Sequence, residues 1–466
     1  MTDRGKKKPE RPDGSTNVRA ISLGCLLRIL EQGEYSHVVL REELEKYSHL
    51  EKRDRAFLTR LTEGVVERLY ELDYTINWFS KIKTEKMKPV IREILRMGVY
   101  QILYMDAVPD SAACNEAVKL AQKKGFGNLK GFVNGVLRAA SRGMEEVMLP
   151  DKNLDFPAYA AVKYSTPVWI TKKLVKEYGE ERAEGILAAG LSERPLTVRC
   201  NLSRISWETA KNSLEEQGIR AETIDGIPGA LEIYDFDMLP KVDAFSKGFL
   251  QVQDVSSMLA GMAAAPKEGD FVLDVCSAPG GKSLHAADLL HGTGHVEARD
   301  LTAEKVRLIE ENIGRSSLTN LSARVWDALV LDKDKIASAD VVIADLPCSG
   351  LGIIGRKSDI KYKMTEDAQK ELVMLQRRIL DVVWQYVKPG GRLVYSTCTV
   401  FSSENAENAD WFTENYPFYT ESLEEVLPKR FFTETTGQGK LQLLPGEKGT
   451  DGFFIARFRR KESIHR

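Results

Sequence analysis

The chain has 466 residues, 43% of them hydrophobic, and a formal net charge of −2, which suits about three domains with sizeable cores. No apolar run reaches the roughly 18–20 residues needed to span a bilayer, and Met1-Thr-Asp-Arg-Gly-Lys-Lys-Lys8 is not followed by the apolar stretch of a secretory signal, so a cytoplasmic protein without membrane contact is expected. The six cysteines are scattered, with no Cys-x-x-Cys pair, which argues against a disulfide framework and against a structural metal.

Residues 1–16 carry Arg4, Lys6, Lys7, Lys8 and Arg11 between glycines and prolines and read as a disordered basic tail. From 17 to 145 the apolar spacing is helical. Ile21, Leu23, Leu26, Leu27 and Leu30 mark one helix. Phe57, Leu58, Leu61, Val65, Val66 and Leu69 mark a second, and Ile91, Ile94, Leu95, Val99, Ile102 and Leu103 a third. Asp110-Ser111 can cap the next helix. An all-α bundle is expected here. Over 146–250 a helical stretch at 159–190, a strand at 195–201, a helix at 206–217 and a short strand at 231–234 predict a small α+β module.

From 251 to 466 the pattern becomes strand, glycine-rich turn, helix, repeated. Strands are predicted at 271–275, 296–300, 323–326, 341–345, 392–397 and 452–458. These assemble as an α/β Rossmann-like, doubly wound sheet, whose ligands bind beyond the carboxyl ends of the strands. His285, His291 and His295 read as a solvated face and loop rather than a metal site.

The turn Asp274-Val-Cys-Ser-Ala-Pro-Gly-Gly-Lys-Ser283 joins the first of these strands to a helix. Gly280 and Gly281 allow close backbone approach, and the helix start offers free amide donors. A P-loop needs glycine where Cys276 stands, and a dinucleotide fingerprint is absent. The turn suits a nucleoside with little or no phosphate. Asp300, ending the second strand, can take two ribose hydroxyls. Asp327, after the third, can accept from an adenine amino group. Acids at successive strand ends repel ATP but suit a cationic sulfonium. Cys348, in Asp345-Leu-Pro-Cys-Ser-Gly350, and Cys398, in Tyr395-Ser-Thr-Cys-Thr399, each follow an apolar strand. One such cysteine could be packing; two suggest thiol chemistry on a substrate.

These motifs resemble the RNA cytosine-5 methyltransferases, as do Glu404-Asn405, Asp451-Gly-Phe-Phe454 and Asp359-Ile-Lys361 after Arg356. Val108–Val118 and Gly131–Arg138 resemble the NusB RNA-binding fold. Together they point to the RsmB (Sun, Fmu) family, which methylates a cytosine of bacterial 16S rRNA. Three departures stand out: Ser277 for alanine, Lys357-Ser358 for His-Pro, and Arg299 for an apolar residue.

The resemblance implies S-adenosyl-L-methionine as cofactor, held by Cys276, Ser277, Ala278, Pro279, Gly280, Gly281, Lys282, Asp300, Asp327 and Asp345. It implies Cys398 as the nucleophile on cytosine carbon-6, Asp345 at the cytosine edge, Cys348 in product release and Lys282 as a supporting charge. A free thiol ionises near pH 8.5, so a nearby positive charge is needed, and the sequence does not identify it. The base must be single-stranded or flipped out. The expected partner is 16S rRNA, protein-free or early in assembly, bound by a monomer. Lys123, Lys124, Lys130, Arg138, Lys163, Lys172 and Lys173 are candidate phosphate contacts. Three alternatives remain: the same chemistry on tRNA, a DNA cytosine-5 methyltransferase with Cys348 as nucleophile, and a non-catalytic RNA-binding assembly factor.

Overall fold

The computed structural model describes residues 17–462; the basic tail expected over 1–16 lies outside the described residues. The chain forms two compact units.

The first unit takes in the chain up to Pro167 together with residues 357–359. Its helices include Val18–Leu26, Lys52–Glu67, Leu69–Phe79, Pro89–Tyr104, Asp110–Lys123 and Lys130–Gly143. Pro89 at the first position of its helix costs no hydrogen bond and presets φ. That helix is the central one, with Ile91, Ile94, Leu95 and Val99 fully buried. It also buries Glu93 and Arg96, which is feasible because Arg96 bonds Glu93 at 2.6 Å and both oxygens of Asp73 at 2.6 and 2.8 Å. Asp110 is not the expected cap. It is the first helical residue after Pro109, and its carboxylate accepts from the Ser141 hydroxyl at 2.6 Å, fastening two helices together.

The second unit holds the small module and the large sheet. In the module, β1 (Leu196–Cys200), β2 (Arg220–Thr223), β3 (Ala230–Tyr234) and β4 (Leu250–Val252) form an antiparallel sheet in the order β2-β3-β1-β4. The helix Trp207–Glu215 covers it, capped by Ser206, whose hydroxyl accepts from the Thr209 amide. The helical stretch expected over 159–190 divides into Phe156–Lys163 and Val168–Ala189. Pro167 follows a turn that the continuous apolar pattern conceals, and Gly179, at φ 76°, breaks the second helix internally.

The large sheet contains β5 (Phe271–Asp274), β6 (His295–Asp300), β7 (Leu321–Val325), β8 (Ala339–Asp345), β9 (Val387–Thr397), β10 (Phe418–Thr420), β11 (Lys440–Leu443) and β12 (Phe453–Arg460). The order is β10-β12-β9-β8-β5-β6-β7, with β11 also on β12. Strands β5 to β9 are mutually parallel, and β12 is antiparallel to its neighbours. Alternate residues of β8 explain the layering. Val341 and Ile343 enter one core with the helices Val255–Ala264 and Gly281–Leu289. Val342 and Ala344 enter the other with Glu366–Val383 and Ala406–Asn415. A strand buried on both faces must read as an unbroken apolar run, and each of its buried valine and isoleucine side chains contributes roughly 1.5–3 kcal/mol. The sheet order reverses between β5 and β8, the switch point at which such folds open a crevice.

Candidate active site

The glycine turn follows β5 at this switch point. Gly280 caps the helix Gly281–Leu289 at φ 104°, and an added Cβ would lie 3.3 Å from Ile309. The turn is fixed from below. The Ser277 amide donates to Arg299 O at 2.8 Å, and Ser277 and Ser283 share a 2.7 Å hydrogen bond. Ser283 in turn donates to Asp274 at 2.6 Å. Burial pushes the Asp274 carboxyl up to about 7.

Asp300 ends β6 and reaches back to the turn, accepting the Ala278 amide at 2.9 Å, with Lys305 at 3.0 Å from its other oxygen. Asp327 lies past β7, its carboxylate accepting the Leu329 amide at 2.9 Å. Arg299 is fully buried. It bonds Glu297 at 2.6 Å and Asp332 at 2.7 Å, which explains how a cation stands where an apolar residue is typical.

Asp345 ends β8. Its two oxygens accept from Lys282 Nζ and Ser396 Oγ, each at 2.7 Å. Burial alone would lower the Lys282 ammonium, but Asp345 outweighs it and, with smaller help from Asp274 and Cys398, holds the group above its usual value. The sulfurs of Cys348 and Cys398 lie 3.2 Å apart, and the Cys398 amide donates to Cys348 Sγ at 3.3 Å. All six cysteines are free thiols. The Cys348 thiol is held well above its ordinary value, first by its bond to Cys398 and then by burial. Burial, followed by Asp274, Asp300 and Asp345, raises the Cys276 thiol, so it stays protonated. Burial does the same to Cys25, Cys114 and Cys200.

The ten sequence-predicted cofactor residues therefore follow the carboxyl ends of β5, β6, β7 and β8, where the turn contacts Asp300 and Asp345, and the two cysteines follow β8 and β9. Ser396 carries no signal of its own in the sequence. Only the in-register pairing of Asp345 with Ser396 reveals it. Glu404 and Asn405 join the two cysteine loops.

Among the basic candidates, Lys123, Lys124, Lys130, Arg138 and Lys172 are exposed. Lys173 is not free for phosphate: it bonds Gln369 and sits 4.4 Å from the centre of the Phe401 ring. Lys163 lies 5.2 Å from the centres of the Tyr159 and Tyr164 rings. His285 departs from the solvated reading: it is buried against Gly261, where any Cβ would collide with the imidazole. Its pKa is held well below the ordinary value by burial and then by Arg199. Among the described residues no cluster of His, Cys, Asp or Glu is arranged to hold a metal, and no helix is long and apolar enough to cross a membrane.

Residues 261–459 match the model of the 16S rRNA methyltransferase RsmB/F family. Residues 16–142 match the NusB family, and 166–236 the ferredoxin-like domain of RsmF/B-like methyltransferases. Fold and site define a methyltransferase-type α/β domain that follows, along the chain, a NusB-like helical domain and a ferredoxin-like module. Over 449 residues the chain is 36% identical to the probable ribosomal RNA small subunit methyltransferase B of Bacillus subtilis (strain 168), covering 96% of this chain and 99% of that one. It is 31% identical over 452 residues to ribosomal RNA small subunit methyltransferase B of Pasteurella multocida, covering 95% and 96%. The chain belongs to the ribosomal RNA small subunit methyltransferase B family. The crystal structure of PH0851 shares the fold, with a TM-score of 0.81 at 24% identity over 96% of this chain and 99% of that one.

Proposed function

We propose that this protein transfers a methyl group from S-adenosyl-L-methionine to carbon-5 of a cytosine in 16S rRNA, through a covalent bond between Cys398 and the base. The observation that carries this reading is the pair of sulfurs 3.2 Å apart beside the Lys282–Asp345 ion pair.

The crevice fits the cofactor. Gly280 leaves room for close backbone approach, and the helix start at Gly281 offers amide donors. Asp300 keeps one lone pair for a ribose hydroxyl and gains a second when the exposed Lys305 swings away, and Asp327 keeps one oxygen for an amino group. The acidic ends of β6, β7 and β8 favour a sulfonium charge. When bound, the cofactor supplies an electrophilic methyl group.

The chain's own residues make the cytosine reactive. Carbon-5 is a poor nucleophile, and addition of the Cys398 sulfur to carbon-6 converts the ring into an enamine. The Cys348 S–H can donate to Cys398, so the pair presents a thiolate after losing one proton. The Lys282 ammonium favours that charge. The proton that the thiol pair loses can pass by way of Asp345, oriented by Lys282 and Ser396, to ring nitrogen-3 as negative charge develops there. After methylation the carbon-5 proton must leave and the carbon–sulfur bond must break. Cys348 is raised chiefly by its bond to Cys398. Once Cys398 is bonded to carbon-6 that cause is gone, so Cys348 loses its own proton more readily and a thiolate is available to take the carbon-5 proton.

The test is methyl transfer from tritiated S-adenosylmethionine to protein-free 16S rRNA. Label is expected on a cytosine with wild type and none with Cys398→Ala. Cys348→Ala is expected to stall as a covalent protein–RNA adduct. Label on tRNA alone would move the substrate, and adduct formation at Cys348 would overturn the assigned roles.

A further inference from the structure

Glu404 has no solvent exposure, yet it carries a carboxylic acid just beyond Cys398. Burying such a group is costly unless its lone pairs are satisfied. Here they are met by neutral donors. Oε1 accepts from Ser349 Oγ at 2.6 Å and from Gln369 Nε2 at 3.0 Å. Oε2 accepts from the Ser349 amide at 2.8 Å and from Gln376 Nε2 at 3.1 Å. The Ser349 proton is committed to Glu404, so the 2.8 Å bond between Ser349 and Thr399 has Thr399 as its donor. Gln376 also donates to Pro347 O at 2.9 Å. Asn405 completes the arrangement: it accepts from Thr397 Oγ1 at 2.5 Å and donates to Thr399 O at 3.1 Å.

The residue after Cys348 and the residues on both sides of Cys398 are therefore all fastened to Glu404 and Asn405. Strands β8 and β9 hold register as far as Asp345 and Ser396. Beyond that point, the Leu346 amide on Ser396 O and the Gly352 amide on Cys398 O tie backbone, not the cysteine side chains. The carboxylate takes over where the ladder stops.

We propose that Glu404 is a positioning residue that sets the separation of the Cys348 and Cys398 sulfurs. Its catalytic value rests on the covalent mechanism above, but the spacing can be read without RNA or cofactor. The diazene oxidant diamide serves as a ruler. Each thiol gives up one proton and one electron, the N=N bond takes up both hydrogens to become a hydrazine, and a Cys348–Cys398 disulfide forms. Peptide mass mapping follows its rate.

Glu404→Gln keeps the shape but turns an acceptor into a donor facing donors. Cross-linking is expected to slow roughly tenfold or more, because reactions between fixed groups are this sensitive to small misplacements. Single-turnover methyl transfer should fall in parallel while cofactor affinity is retained. Ser349→Ala removes one arm of the cluster and should show a smaller loss of both rates; it also serves if Glu404→Gln does not fold. Wild-type cross-linking rates in folded variants would overturn the proposal. Slowed cross-linking with undiminished methyl transfer would uphold the positioning and overturn the covalent use of the pair.

Discussion

Replacing Asp288 by alanine should destabilise the second unit far more than replacing its partner Arg199 by methionine. Both side chains are buried where the ferredoxin-like module meets the methyltransferase-type domain, with Arg199 Nη1 2.8 Å from Asp288 Oδ2. At about 4 Å between charge centres, an effective dielectric near 20 gives an attraction of about 4 kcal/mol. Desolvation opposes it, so the pair's net value is small while the loss of one partner is not. The two losses differ because the partners have different reserves. Without Arg199, Asp288 keeps the Leu202 and Ser203 amides at 3.1 and 2.8 Å. Without Asp288, the guanidinium keeps only Gln253 at 3.0 Å and Cys200 O at 3.2 Å, both neutral, around a full buried charge.

Asp288→Ala is therefore expected to cost about 3–5 kcal/mol. Arg199→Met, which retains volume and leaves a carboxylate with two amide donors, should cost about 1–3 kcal/mol. Thermal unfolding followed by circular dichroism reads the difference. At roughly 2–4 °C per kcal/mol, the aspartate variant should melt some 6–20 °C below wild type, with the arginine variant between them. Equal losses, or a greater loss from Arg199→Met, would refute the asymmetry.

Lys282→Met should lower single-turnover methyl transfer by about 100-fold, the scale of losing one charge-stabilising group. It should also slow alkylation of Cys398 by iodoacetamide in the free protein, and unchanged alkylation would remove Lys282 as the activating charge. Asp274→Asn should flatten stability against pH. In the folded protein this carboxyl is pushed up from 3.8 to about 7, so the fold holds a proton that the unfolded chain releases. Its contribution is complete below about 4 and is lost as pH rises towards 7. Urea midpoints at pH 5 and pH 8 should lie closer together in the variant, and an unaltered gap would show that Asp274 does not carry that slope.

The parallel strands were legible because both their faces are covered: Val341–Ala344 alternate between two cores and so form an unbroken apolar run. Antiparallel β10 and β11 escaped notice because they are only 3 and 4 residues long and lie on one side of β12. The glycine turn and the acids that follow it were readable from order alone, since each occupies the end of a successive strand. The fate of His285 was not, because it depends on the space left by Gly261, which comes from another helix. Lys173 failed as a phosphate contact for the same reason: a lysine on a helix looks solvated until Gln369 and Phe401, some 200 residues away, are placed beside it.

The site divides its labour along the sheet. Beyond β5, β6 and β7 the groups are backbone amides and carboxylates, which can hold a cationic nucleoside but offer no nucleophile, since Cys276 is kept protonated by burial and three nearby acids. Beyond β8 and β9 stand the two thiols, with Lys282 and Asp345 at the junction. Lys282 belongs to the glycine turn after β5, and its ammonium is bonded to the acid that ends β8. A shift of this segment would therefore move the ammonium that the proposed mechanism sets beside Cys398. In the proposed mechanism the same contact serves both the cofactor and the nucleophile. Cofactor binding and thiol reactivity should accordingly be coupled, with the Lys282–Asp345 bond as the link. If so, the cofactor should change the rate at which Cys398 is alkylated in wild type, and Lys282→Met should abolish that dependence.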